Sequence, residues 1–88
     1  MRYILITRED CPYCTMAIHL LEENELEHNV VNFEHDQADL LNEVKKAHDW
    51  KTVPMIFVRE GDIIKFIGGY TDLMRRVGKI DRAIRNRV

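Results

Sequence analysis

At Pro12 the spacing of apolar residues switches from that of a strand to that of a helix. Before it, Tyr3–Thr7 (YILIT) is β-rich and almost continuously apolar, as a central strand buried on both faces would be. After it, Cys14, Ala17, Ile18 and Leu21 recur at helical spacing, while Glu22, Glu23 and Asn24 close a polar side. Such switches repeat along the chain. Glu27–Phe33 (EHNVVNF) reads as a second strand. Asp36 then stands as N-cap of a second helix whose apolar stripe is Leu40, Leu41, Val44 and Ala47. Val53–Val58 is a third strand, Arg59-Glu60-Gly61-Asp62 a turn, and Ile63–Ile67 the returning strand of a hairpin. Gly68-Gly69 breaks the pattern, and Leu73, Met74, Val77, Ile80 and Ile84 mark a last helix, weakened at Gly78.

The resulting order is β-α-β-α-β-β-α. A strand-helix-strand unit takes a right-handed crossover and a parallel pair, and the closing hairpin adds an antiparallel one. The expected fold class is α/β: a mixed four-stranded sheet flanked by three helices, which is the thioredoxin fold. With 88 residues the chain suits one domain, 1–88, and not two. No repeat or low-complexity linker interrupts it.

Charge and hydropathy exclude several function classes. The net charge of -2 gives no general attraction to nucleic acid or an anionic membrane. No apolar run approaches the roughly 20 residues of a membrane span. The start, MRYILITRED, lacks the long apolar stretch and small-residue cleavage site of a signal peptide. The expectation is a cytoplasmic monomer with no nucleic-acid or membrane partner.

The 2 cysteines, Cys11 and Cys14, are too few for a disulfide scaffold. Bridging them closes a very small loop and stabilises little by chain entropy. Redox exchange and metal binding remain. Pro12 fits the first helical position, where its missing N–H has no helical partner. Cys11 then becomes the N-cap, its sulfur facing free backbone N–H groups near Tyr13 and Cys14 and the positive end of the helix dipole. Both favour the thiolate, the nucleophilic form. Arg8 adds positive charge nearby, while Glu9 and Asp10 act in the opposite sense. Cys14, a turn further in, is the more buried. Cys11 therefore attacks, and Cys14 resolves the mixed disulfide.

A structural zinc site needs four ligands, often as two pairs. There is no second CxxC, and His19, His28, His35 and His48 form no zinc-finger pair. The expectation is no bound metal, with a cluster shared by two chains through Cys11 of each as the competing reading.

Three segments, CPYC at 11–14, Thr52-Val53-Pro54, and Gly68-Gly69-Tyr70-Thr71-Asp72, have the order and approximate spacing found in a dithiol glutaredoxin. The chain resembles the short bacterial or phage-type members over essentially its whole length. The resemblance implies that Cys11 is the nucleophile that forms a mixed disulfide with glutathione and Cys14 the resolving cysteine. It implies that Pro54 is a cis-proline, which turns the Val53 backbone outward to pair with an extended peptide such as glutathione. An ordinary trans proline opening an edge strand is the plainer alternative.

Thr71 and Asp72 match residues that hold the γ-glutamyl end of glutathione. Gly69 lets backbone approach the ligand, and a helix starting near Thr71 offers N–H groups to a carboxylate. Simple helix capping is compatible with the same residues. Arg8 stands where many members have lysine, and Lys51 matches a frequently basic position. Either serves the glycine carboxylate of glutathione. Tyr13 lines the site by the same comparison, as do Thr52 and Val53.

The implied function is a glutathione-dependent oxidoreductase that reduces protein disulfides and glutathione mixed disulfides. No tightly bound cofactor is implied, and glutathione serves as reductant. Glutathionylated or disulfide-containing proteins are the implied partners, ribonucleotide reductase among them. The competing readings are a glutaredoxin-like redoxin reduced by thioredoxin reductase and an iron-sulfur cluster-binding module. Arg75, Arg76, Lys79, Arg82, Arg85 and Arg87 make the C-terminal segment basic. It reads as a solvated helix face, or as a docking surface for an acidic protein.

Overall fold

Strand β1, Arg2–Arg8, lies at the centre of the sheet, parallel to β2 (His28–Phe33) on one side and antiparallel to β3 (Met55–Glu60) on the other. Strand β4 (Ile63–Gly68) pairs antiparallel with β3, so the order is β2-β1-β3-β4. The helices are α1 (Pro12–Glu23), α2 (Ala38–Ala47) and α3 (Tyr70–Arg85). The structure, a computed structural model, describes the backbone of residues 1–85 and side chains as far as Gly78. Among the described residues, no helix is long and apolar enough to cross a membrane.

One face of the sheet carries the main core. Tyr3 and Leu5 of β1 and Ile56 and Val58 of β3 meet Ala17 and Leu21 of α1 and Leu73 and Val77 of α3. The side-chain period of a strand sends the intervening residues to the other face. There, Ile4 and Ile6 are half-buried, so β1 is central in the sheet without being fully buried on both faces. The expectation of two buried faces fails because only one side has a dense helical cover. An aromatic group stands on that second face. Phe57 lies 5.1 Å from Phe66 and 5.0 Å from His48, and Trp50 lies 5.1 Å from Phe66, ring centroid to centroid.

The second helix departs from the sequence reading. Asp36 is not its N-cap. A short 3-10 turn, His35–Gln37, precedes α2, and Glu34 occupies the capping position of that turn. The Glu34 N–H donates to Gln37 Oε1 at 2.9 Å, so local side-chain bonding at 34–37 outcompetes a cap at Asp36. Leu41 is buried and Val44 half-buried, but Leu40 and Ala47 of the expected stripe are exposed. The third strand begins at Met55 and not at Val53, because Thr52–Pro54 form a loop. The expected turn is shorter, at Gly61-Asp62, with Gly61 at φ +60. Ile80 and Ile84 of the last apolar stripe lie outside the described side chains.

Candidate active site

Strand β1 ends beside the start of α1, and the connecting turn delivers Cys11. Asp10 takes φ +55, a left-handed conformation that aspartate tolerates better than most residues. Cys11 is extended (φ -117, ψ 99), and its sulfur accepts a hydrogen bond from the Cys14 N–H at 3.2 Å. Pro12 occupies the first turn. The expected N-cap geometry is therefore present. Cys11 and Cys14 are joined as a disulfide, with Cα atoms 5.2 Å apart. Cys14 is 3% exposed, and Cys11 is half-buried, so an incoming sulfur meets Cys11 first.

The Val53–Pro54 peptide is cis, as the resemblance implied. The carbonyl oxygen of Val53 lies 3.9 Å from Cys11 Sγ. That loop forms one wall of a groove of about 330 Å³. Thr52, Val53 and Pro54 stand on one side, Gly69, Thr71 and Asp72 on the other, and Tyr13 at the α1 end. The structure thus brings together seven of the expected site residues from three separated segments.

At the far wall, β4 runs directly into α3. Gly68 has φ +119, and a Cβ there would overlap the Asp72 carboxylate. Glycine removes that clash. Asp72 Oδ2 then accepts a hydrogen bond from the Gly69 N–H at 2.9 Å, while Gly69 O accepts from the Leu73 N–H at 3.1 Å. The carboxylate therefore caps the start of α3 while lining the groove.

Two expected residues stand elsewhere. Arg8 lines a depression of about 670 Å³ that also holds Cys11 and Cys14, with Thr7, Val30 and Asn32 on its β2 side. Lys51 lines a hollow of about 410 Å³ with Lys45, Lys46 and Trp50. Neither lines the 330 Å³ groove. Trp50 and Tyr70 do line it and were missed in the sequence. Tyr70 sits within the GGYTD segment, 6.0 Å from the Tyr13 ring. Trp50 is the chain's 1 tryptophan, two positions before Thr52, and its ring packs 3.6 Å from where a Cβ on Gly69 would be. An aromatic residue next to a ligand-facing loop was the available signal for both. Among the described residues, no group of three or more His, Cys, Asp or Glu side chains comes together as a metal site.

A half-exposed N-cap cysteine bonded to a buried one at the next turn, on a thioredoxin fold, defines a thiol-disulfide redox protein. The Glutaredoxin family model matches residues 4–64, and the chain belongs to the glutaredoxin family. It is 32% identical over 88 aligned positions to glutaredoxin 1 of Rickettsia conorii, covering 94% of this chain and 80% of that one. The structure resembles glutaredoxin 1 of Francisella tularensis with a TM-score of 0.68 at 27% identity, covering 92% of this chain and 96% of that one. The NrdH-redoxin of Escherichia coli, described as a glutaredoxin-like protein with a thioredoxin-like activity profile, shares the fold at a TM-score of 0.59 and 22% identity. That likeness covers 85% of this chain and 93% of the redoxin.

Proposed function

We propose that this protein is a glutathione-dependent oxidoreductase that reduces protein disulfides and glutathione mixed disulfides. The observation that carries the reading is the groove beside Cys11, with the Val53 carbonyl 3.9 Å from the sulfur and the Thr71-Asp72 helix start opposite. An extended γ-glutamyl tripeptide fits such a place by its chemistry. Its backbone can pair with Val53, one carboxylate can meet the N–H groups at the start of α3, and its ammonium group can meet Asp72. Tyr13, Thr52, Pro54 and Gly69 supply the remaining walls. Arg8, which lines the depression of Cys11 and Cys14, and Lys51 are the proposed cations for the glycine carboxylate, although neither lines the groove itself.

In the reduced protein, the Cys11 thiolate attacks one sulfur of a substrate disulfide. A Cys11 mixed disulfide forms, and the other substrate thiolate leaves. For a protein disulfide, Cys14 then attacks Cys11 Sγ, closing the Cys11–Cys14 disulfide seen here and releasing the second thiolate. Two glutathione molecules restore the dithiol as one molecule of glutathione disulfide forms. For a glutathionylated protein, Cys11 attacks the glutathione sulfur and the protein thiolate leaves; a second glutathione thiolate then attacks that same sulfur, releasing glutathione disulfide and the Cys11 thiolate. Glutathionylated proteins and disulfide enzymes, ribonucleotide reductase among them, are the substrates this chemistry suits.

Turnover of a glutathione mixed disulfide, coupled to glutathione reductase, tests the reading. Robust turnover in that assay and little with thioredoxin reductase is expected. The reverse preference would make the protein a redoxin of the thioredoxin-reductase type. Arg8 and Lys51 lying outside the groove is the observation that favours this second reading. A coloured protein on anaerobic purification would instead point to a shared iron-sulfur cluster.

A further inference from the structure

Glu9 and Asp10 put two carboxylates directly before Cys11. Negative charge beside a sulfur disfavours its thiolate. The structure brings a partner for both carboxylates from a distant segment. His35 Nε2 lies 3.1 Å from Glu9 Oε2 and 3.2 Å from Asp10 Oδ2. Both oxygens are acceptors, so Nε2 is the donor in either contact. His35 is not placed there by chance rotation of a long chain. It opens the 3-10 turn after β2, which the Glu34–Gln37 hydrogen bond closes at 2.9 Å. The Glu9 N–H also donates to Phe33 O at 3.3 Å, tying the two backbones together. Asp10 lies in the left-handed region and lines the same depression as Cys11. The other charged groups lining the adjoining hollow are Arg8, Glu34 and Lys45.

We propose that His35 is a positioning residue for the nucleophile: through Nε2 it holds the Glu9-Asp10 turn and engages both carboxylates beside Cys11. The role rests on Cys11 being the attacking thiol. It assigns a purpose to a segment that has no contact with the glutathione groove.

The test is the pH profile of iodoacetamide alkylation of the reduced full-length protein, with melting curves for every variant. At a pH where the thiolate is incompletely formed, His35→Ala is expected to slow alkylation about two- to threefold, the modest size reflecting solvent exposure of the three groups. His35→Lys is expected to restore the rate, and high salt to shrink the difference. In a Glu9→Gln, Asp10→Asn background the effect of His35→Ala should vanish. An unchanged profile for His35→Ala, the same loss in the doubly neutralised background, or full rescue by His35→Gln overturns the proposal. Cys11→Ser separates the two levels. Turnover retained by that variant sinks the nucleophile assignment, whereas its loss beside an unaltered His35→Ala profile sinks only the role of His35.

Discussion

Two cysteines three positions apart have unequal surroundings, and their roles follow from that inequality. Cys14 is buried in the first turn of α1, and its N–H points at the sulfur of Cys11. A hydrogen bond from backbone N–H favours the charged form of Cys11, and burial of Cys14 keeps it away from bulky substrates. Cys11→Ser is therefore expected to abolish reduction of both protein disulfides and glutathione mixed disulfides. Cys14→Ser is expected to lose protein-disulfide reduction and keep deglutathionylation. Steady-state assays on the two substrate types check this, and full deglutathionylation by Cys11→Ser would refute the assignment. This asymmetry was legible in the sequence, because Pro12 at a helix start dictates which cysteine is the cap. The placement of Arg8 was not. A side chain at a strand end can turn to either side of the sheet edge, and nothing local selects one.

Where one element gives way to the next, the β4–α3 junction couples stability to the groove. Gly68 at φ +119 leaves space for the Asp72 carboxylate, which caps the helix through the Gly69 N–H. Gly68→Ala is expected to cost about 1–3 kcal/mol through backbone strain and displacement of that carboxylate. It should also raise KM for a glutathione mixed disulfide several-fold while leaving the Cys11 alkylation rate unchanged. Denaturant melts and the coupled assay measure the two effects separately. Loss of stability with an unaltered KM would show that Asp72 serves α3 alone. The break at Gly68-Gly69 was readable from sequence, but the positive φ was not required by it. At α2 the reading failed more plainly. Asp36 is a good cap residue in isolation, yet the reciprocal pair Glu34 and Gln37 starts a 3-10 turn before it. Local competition of that kind depends on which hydrogen bonds the neighbouring loop leaves open.

On the scale of the whole molecule, Arg76 joins the two ends of the described chain. Its Nε donates to the hydroxyl of Tyr3 at 3.0 Å, and its Nη2 pairs with Glu60 at 3.0 Å. The guanidinium also lies 5.9 Å from the Tyr3 ring centroid. Tyr3 is 1% exposed, so its hydroxyl depends on this partner within the described fold. Arg76→Ala is expected to cost about 1 kcal/mol, lowering Tm by about 4–8 °C for a domain of this size. Arg75 is exposed, and Arg75→Glu should change stability by less than about 0.5 kcal/mol. The basic helix face thus divides into a structural arginine and a surface one. Docking of an acidic partner is tested by Arg75→Glu alone, which should slow reduction of that partner and spare small disulfides. Equal loss on both would remove the docking role. Lys79, Arg82 and Arg85 lie outside the described side chains and Arg87 outside the described residues. The order of strands and helices and the dithiol at a helix start were determined by the sequence alone, because hydrophobic period, proline and glycine act over a few residues, while the other two motifs were legible through the family resemblance. Tertiary structure decided that Arg8 and Lys51 do not line the groove, that Trp50 and Tyr70 do, and that His35 meets Glu9 and Asp10. Those contacts join residues far apart in the chain, and their distances exist only once the sheet has brought β1, β2 and β3 side by side.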